Sequence, residues 1–288
     1  FSISFFYPVL SGKKPIQSDI QQYSGMSRQI KEYRAQGEEI YWIDNAFGGM
    51  PTYQLGARYP YDFLTPIHKI FQLIPQPSEI LFLYLFGAYL FLLIIKMPIP
   101  IAILGAFAYG LSTYLLIIIQ VGHNTKSQAL AYMPMVIGGM YLLLKNKRLL
   151  GFFLTVFALS MQIRANHYQM TYYMLLLMLV IYFFYGIKAV KEKSVKSFFK
   201  SSILLIISAI LSLGLNAPPL LATSEYTKFS TRSKSELTLN PDGSSKESTG
   251  GLSRDYITQF SYGIFESLNL IAPRIQGGGS TEDLGEDS

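Results

Sequence analysis

Six long apolar runs restrict the folds open to this chain. A helix needs about 20 consecutive apolar residues to cross the hydrocarbon core of a bilayer, and each run is near that length, the fourth being the shortest. The runs cover residues 80–95, 99–119, 128–144, 149–163, 171–187 and 201–221. Residues 1–10 are apolar but too few to cross alone, so we expect them to be the end of a helix that begins upstream. The pattern predicts an all-α polytopic membrane protein.

Positive charge is distributed unevenly between the runs. Lysine-rich segments follow the first, third and fifth runs: Lys96, then Lys145, Lys147 and Arg148, then five lysines within 188–200. Short loops of this kind face the cytoplasm, so we expect the other loops to face outward, toward the periplasm or the exterior. The formal charge of +6 is then a sign of topology, which argues against a nucleic-acid partner.

The outward loops differ greatly in length. Residues 1–221 are predicted to form the transmembrane bundle, with a long, aromatic outer loop at 11–78. Residues 222–288 are predicted to be a second extracytoplasmic segment, cut off before further helices or a C-terminal domain. Long loops are usually functional or disordered, and the first is too aromatic for disorder.

An amphipathic helix is predicted within the first outer loop, over residues 24–35. Apolar residues recur there at a spacing of three to four, with charged residues on the other face. Ser24 is placed to cap its start and Gly37 to end it. Such a helix lies along the membrane surface or serves as a solvated spacer.

Four polar clusters recur along the chain, and counting the crossings places all four on the outward side. They are residues 17–19, 122–126, 164–167 and 224–236. In the first cluster, the Asp19 carboxylate has the chemistry of a general base or a ligand of a divalent cation. The alternative is that Ser18 and Asp19 only cap a following helix.

The next two clusters combine imidazole, amide and cationic groups. His123, Asn124 and Lys126 lie in a predicted six-residue turn, where such groups suit a bound phosphate. Arg164, Asn166 and His167 follow the shortest run, and an arginine beside a histidine within the membrane is a functional-site hypothesis. Snorkelling to the interface is the alternative for both groups.

Two further segments have open interpretations. The fourth cluster offers a second carboxylate, Glu225, and the cations Arg232 and Lys234, or else only solvated loop charges. The turn at 47–51 combines two glycines with a proline, which allows close backbone approach. That turn either lines a sugar-sized pocket or docks the loop on the bundle.

Six short strings of the sequence carry a family resemblance when taken together. They are PVLSGK at 8–13, QSD at 17–19, FGGMPTY at 47–53, GHNTK at 122–126, ANHYQ at 165–169 and TRSKSEL at 231–237. On these strings the chain resembles the YfhO family of bacterial membrane proteins. The resemblance implies a GT-C-like helical bundle with long extracytoplasmic loops. It also implies a membrane glycosyltransferase that transfers a sugar from a polyprenyl-phosphate-linked donor to an outer-face acceptor.

The resemblance also implies roles for residues. In such enzymes an acidic residue early in the first outer loop is catalytic, which corresponds to Asp19, with Glu225 held in reserve. Trp42 and Tyr53 are expected to stack on the sugar. The expected acceptor is a cell-envelope polymer such as a teichoic acid, or a lipid, and membrane lipid is a further partner. Binding of the donor phosphate is expected from His123, Asn124, Lys126, Arg164, Asn166, His167, Arg232 and Lys234.

The sequence constrains the cofactor and the functional class of the protein less closely. His123, His167 and Asp19 have no metal-ligand spacing, so no metal site is predicted, although a divalent cation stays an option. A lipid or polysaccharide transporter or flippase is the main alternative, and it would show interrupted helices and polar residues at mid-membrane. A non-catalytic envelope-assembly protein is a third interpretation.

Overall fold

The computed structural model describes residues 1–230, 243–244, 254–259, 261, 263–272 and 275, and it contains two compact units, Phe1–Ala217 and Pro218–Ser288. Nearly all regular structure in these residues is helical, which confirms the all-α prediction. The α-helices are α1 Ser2–Phe5, α2 Ser18–Met26, α3 Arg28–Ala35, α4 Leu64–Phe71, α5 Ser78–Ile94, α6 Ile99–Gly110, α7 Thr113–Val121, α8 Asn124–Leu144, α9 Arg148–Arg164, α10 Tyr168–Lys191, α11 Val195–Leu215, α12 Ala217–Thr227 and α13 Arg254–Thr258. Three 3₁₀ segments, Tyr7–Ser11, Thr52–Gln54 and Glu266–Leu270, and a two-stranded antiparallel ribbon, β1 Trp42–Ile43 with β2 Met50–Pro51, complete the description.

Helix α8 is the centre of the first unit and packs against α5 and α9. Small residues allow these close approaches. A Cβ atom on Gly139 of α8 would lie 2.5 Å from the Thr155 hydroxyl of α9, and one on Gly87 of α5 would lie 2.5 Å from the Ala131 carbonyl oxygen of α8. Glycine at such crossings is typical of helices that associate inside a membrane.

Helices α10 and α11 lie on the outside of this core. One face of each presents apolar side chains outward, and Val180, Phe183 and Ile210 are all well exposed. A water-soluble protein rarely exposes so continuous an apolar surface, so these faces indicate contact with lipid. On its inner face α11 is held by polar contacts: the Ser201 hydroxyl donates to the Leu143 carbonyl at 2.6 Å, and the Asn216 amide to the Ser160 carbonyl at 3.1 Å.

All six predicted apolar runs are helical, but fewer of them are complete spans than expected. Among the described residues, α8, α10 and α11 are long and apolar enough to cross a membrane, and α6 with α7 passes the same test as one span bent by 46°. Helices α5 and α9 have 17 residues each. The multi-pass architecture is thus confirmed, with three or four spans by length and composition.

Several predicted boundaries are wrong for local reasons. The run at 99–119 is broken because the helix stops at Gly110 and restarts after Ser112, whose backbone is extended. The run at 201–221 ends as a helix at Leu215, close to Pro218 and Pro219, which cannot donate backbone hydrogen bonds. Residues 1–10 form α1 and a 3₁₀ turn, and the Phe1 ring meets the Phe107 ring edge-on at 4.7 Å.

The first outer loop is folded around a small core of its own. Ile30 of α3, Ile43 of β1 and Leu55 are buried together. The predicted amphipathic helix is two helices, because the chain breaks at Ser27, and α3 ends before Gly37 as expected. The apolar face of α3 packs on this core, so α3 is neither a membrane-surface helix nor a solvated spacer.

Candidate functional site

Successive helices α8 to α11 are antiparallel, so the turns between them alternate between two ends of the bundle. Both polar turns are shorter than predicted: α7 ends at Val121 and α8 begins at Asn124, while α9 ends at Arg164 and α10 begins at Tyr168. Asn124 and Lys126 are therefore in the first turn of α8. Gly122 forms the tight connection between α7 and α8, and its backbone is in the left-handed region, with a φ of +94°.

The first outer loop is seated directly on this connection. The Gln17 amide donates to the Ile119 carbonyl oxygen. A Cβ atom on Gly122 would lie 2.9 Å from the Gln17 Cβ and 3.1 Å from the Ile20 Cγ1, so only glycine permits this approach. The first and second polar clusters, distant in sequence, therefore lie side by side.

The Asp19 carboxylate is 3.4 Å from the His123 imidazole, Oδ2 to Nε2. Asp19 is in the first turn of α2, where a negative charge is favoured by the helix dipole. No side chain caps this helix, so the capping interpretation of Ser18 and Asp19 is wrong. Asp19 keeps 42% of its side chain exposed, so a substrate can reach the carboxylate.

His167 brings the third cluster to the same place. Its pKa is lowered because burial, and after it the positive charge of Lys126, outweigh an interaction with its own backbone, so the imidazole is neutral at neutral pH. Its Nδ1 atom is buried with no hydrogen-bond partner. The Lys126 ammonium lies over the Tyr114 ring at 5.1 Å. We call Asp19, His123, Lys126 and His167 the rim site.

The turn before His167 anchors the outer loop to the bundle. Asn166 is in the left-handed region, and its side-chain amide donates to the Gln54 Oε1 atom at 2.9 Å. Gln54 follows the turn at 47–51, which itself closes the ribbon by placing Gly49 against the Trp42 indole. The docking contact thus comes from the segment just after the turn. The Oδ1 atoms of Asn124 and Asn166 are buried without partners.

Arg164 points into a separate buried network. Its guanidinium donates to the Thr65 hydroxyl at 2.8 Å, and burial lowers its pKa. Burial alone would raise the pKa of the Asp62 carboxyl. Hydrogen bonds from the Thr65 hydroxyl and from the backbone amides of Thr65 and Leu64 outweigh that effect and lower the pKa. Arg164 therefore fastens α4 to the end of α9.

Sequence reasoning missed the other members of that network. Glu79 and Tyr132 are fully or almost fully buried and interact with Arg164, and each has a polar atom with no partner. Burial and the positive charge of Arg164 lower the pKa of His68 to about 4. The one sequence feature that could have indicated this network is Glu79, a carboxylate at the start of an apolar run.

An open cavity of about 420 Å³ lies on the first outer loop. Tyr41 and Tyr59 line it, with ring centroids 5.9 Å apart, together with Arg34, Glu39 and Arg58. Burial raises the pKa of Tyr59 to about 12. The residues predicted to stack on sugar are elsewhere in this loop: Trp42 is half exposed and donates to the Asp44 carboxylate at 3.1 Å, and Tyr53 interacts with Tyr59.

The remaining predicted residues belong to the second unit. Glu225 is exposed on α12. Arg232 and Lys234 lie outside the described residues. Within the part of the chain that the structure describes, no group of three or more His, Asp, Glu or Cys side chains is arranged to hold a metal ion.

The chain matches the family model of the bacterial membrane protein YfhO over residues 9–246. No curated protein and no solved structure matches it. The matched stretch contains every residue of the rim site and covers well over half of the 288 residues. The chain therefore belongs to the YfhO family of bacterial membrane proteins.

Proposed function

We propose that this protein transfers a sugar from a polyprenyl-phosphate-linked donor to a cell-envelope acceptor at the outer face of the bacterial plasma membrane. The observation that carries the proposal is the rim site. A half-exposed carboxylate, Asp19, is held beside an imidazole, His123, with Lys126 and His167 next to them. The bundle that supports them exposes apolar faces suited to lipid.

Asp19 is the general base of this reaction. Its carboxylate takes the proton of an acceptor hydroxyl while the hydroxyl oxygen bonds to the anomeric carbon of the donor sugar. The bond from that carbon to the phosphate oxygen breaks, and the polyprenyl phosphate leaves with the electron pair. The 3.4 Å contact with His123 is longer than the roughly 2.7–2.9 Å of a charge-assisted hydrogen bond, so the carboxylate stays open to the acceptor.

Lys126 and His167 are suited to the leaving phosphate. An ammonium fixed over an aromatic ring offsets the charge that develops on the phosphate oxygens. The unpartnered Nδ1 of His167 can donate to a phosphate oxygen, and the unpartnered Oδ1 atoms of Asn124 and Asn166 can accept from hydroxyl groups of the sugar or acceptor. Arg164 acts differently, since its contact with Thr65 holds the outer loop in position.

The sugar is assigned to the aromatic first outer loop. Tyr41 and Tyr59 offer ring faces and Arg58 a charged donor within the open cavity, a combination that suits a polar ring with apolar faces. Trp42 and Tyr53 remain proposals for stacking, and Glu225, Arg232 and Lys234 remain proposals for acid–base and phosphate roles from the second unit.

A transporter or flippase is the second candidate because one observation favours it. The span made of α6 and α7 is bent by 46° at Leu111 and Ser112, and interrupted helices are typical of transporters. The polar groups of the rim site, however, are at helix ends and not at the break.

Sugar transfer by the full-length protein in membrane vesicles tests the proposal. The substrates are a synthetic polyprenyl-phosphate sugar and a cell-envelope polymer fragment. We expect Asp19→Asn to lose transfer by about 100-fold or more and Glu32→Gln, which removes an exposed carboxylate of the same loop, to keep it. Wild-type protein that moves labelled lipid across the vesicle but transfers no sugar would establish the transporter instead.

A further inference from the structure

A second cavity lies at the end of the bundle opposite to the rim site. Its volume is about 220 Å³, and it is enclosed by the turn between α8 and α9 and the turn between α10 and α11. We call this the lysine end, defined by residues 144–148 and 185–198. The polar part of the cavity wall consists of Lys145, Asn146, Lys188, Glu192, Ser194 and Ser197.

We propose that this cavity binds the phosphate group of an anionic membrane lipid. This site is distinct from the rim site and does not depend on the transfer reaction. The lipid source is favoured over soluble phosphate because the wall is partly apolar: Leu144, Tyr185 and Phe198 line the cavity. The neighbouring Phe184 and Phe199 are exposed on the outside of α10 and α11, where acyl chains would continue.

One cation of the wall is held in place before any ligand binds. The Lys145 ammonium lies 5.6 Å from the ring centroids of both Tyr141 and Tyr185, and these two rings meet edge-on at 6.2 Å. Contact with two aromatic faces restricts a side chain that is otherwise flexible. Binding of an anion by Lys145 therefore costs less conformational entropy than binding by a free surface lysine.

Arg148 organises the wall behind Lys145. Its guanidinium donates to the Asn146 Oδ1 atom at 2.7 Å and to the Ser197 hydroxyl at 2.8 Å. The Ser197 hydroxyl in turn donates to Asn146. The Arg148 Nε atom is buried and has no partner. The two turns are thus joined by a charged hydrogen-bond network that keeps one donor unused.

The charge around the cavity selects an anion. The lysine end carries seven cations and one carboxylate, Glu192, which lines the cavity and pairs with Lys188 at 3.6 Å. The cations are Lys145, Lys147, Arg148, Lys188, Lys191, Lys193 and Lys196. Basic pockets between membrane helices are known to accept anionic headgroups, and a neutral or cationic headgroup would gain little here.

Native mass spectrometry of the full-length protein in detergent tests this site, with phosphatidylglycerol and phosphatidylcholine as probes. We expect wild type to retain phosphatidylglycerol preferentially. The pair Lys145→Gln with Lys188→Gln should weaken retention by about 30-fold. The matched control removes the same charge from exposed lysines outside the cavity, Lys191→Gln with Lys196→Gln, and should weaken it several-fold less.

Two further arms complete the design. Lys145→Arg with Lys188→Arg keeps both charges and should retain the lipid, which separates loss of charge from loss of folding. Competition with millimolar inorganic phosphate distinguishes the sources: displacement of the lipid assigns the site to soluble phosphate, and its absence assigns it to the headgroup. Equal losses in the cavity and control pairs, or equal retention of both lipids by wild type, would overturn the proposal.

Discussion

The Asp19 carboxylate contacts the His123 imidazole across 3.4 Å, and this contact joins the first outer loop to the turn between α7 and α8. Gly122 makes it possible by allowing Gln17 and Ile20 to approach the backbone. The proposed chemistry therefore depends on how the loop is seated as much as on the identity of the carboxylate.

Gly122→Ala should displace the loop from the rim site. The new Cβ would meet Gln17 and Ile20 at 2.9 and 3.1 Å, so we expect sugar transfer to fall by about 10-fold or more, since small misplacements of catalytic groups are costly. Gly37→Ala is the matched control, because Gly37 also has a positive φ, +86°, but nothing within 4 Å. Equal transfer rates for the two variants, at equal amounts of folded protein, would show that the close approach of the loop to Gly122 does not position Asp19.

Ile30→Ala should unfold the first outer loop locally. Ile30 is 1% exposed in the loop core, and removing a buried isoleucine side chain costs about 2–5 kcal/mol. Limited proteolysis measures the effect, with cleavage expected between residues 11 and 78 at least about 10-fold faster. Ile16→Ala, at a position that is 85% exposed, should leave cleavage unchanged. If the Ile30→Ala loop resists protease like wild type, it has no core of its own.

Acid should destabilise the fold through His68. Its pKa is about 4 in the folded protein and 6.5 ordinarily, so the unfolded chain binds a proton more readily and stability is lost as pH falls below about 6.5. Lowering the pH from 7.5 to 5.5 should cost about 1 kcal/mol from this residue. Denaturation in detergent at both pH values measures it, and His68→Gln should reduce the pH dependence by that amount. A pH dependence unchanged in His68→Gln would show that other groups cause it.

Labelling of single cysteines should reveal the orientation. The 288 residues contain no cysteine, so Tyr61→Cys in the exposed outer loop and Lys147→Cys at the lysine end can each be introduced without removing a cysteine from this stretch. We expect a membrane-impermeant maleimide to label Tyr61→Cys in intact cells and Lys147→Cys only after permeabilisation. The reverse pattern would place the rim site in the cytoplasm, away from cell-envelope acceptors.

Hydropathy predicted the helices well because lipid favours an apolar side chain at nearly every position of a membrane span. It did not predict the break between α6 and α7, since Ser112 is one polar residue inside a long apolar run. The structure brings Asp19, His123 and His167 together at one end of the bundle, whereas the side of the membrane on which this end lies stays a prediction.

Contacts made by the fold could not be predicted in the same way. The buried positions of His68 and Tyr132 depend on how α4, α5, α8 and α9 meet, and no local pattern in the sequence marks them, whereas Glu79 is marked only as a carboxylate at the start of an apolar run. The core around Ile30, Ile43 and Leu55 was missed for a similar reason: an apolar helix face indicates burial, but it does not say whether the partner is protein or lipid.

The most direct test measures sugar-transfer rates of Asp19→Asn, His123→Gln and the double variant under saturating donor. We predict that His123→Gln lowers the rate by about 10-fold to 100-fold, that Asp19→Asn lowers it further, and that the double variant is no slower than Asp19→Asn, because residues that act as a unit are not additive. Full activity of Asp19→Asn in folded, membrane-inserted protein would contradict the account.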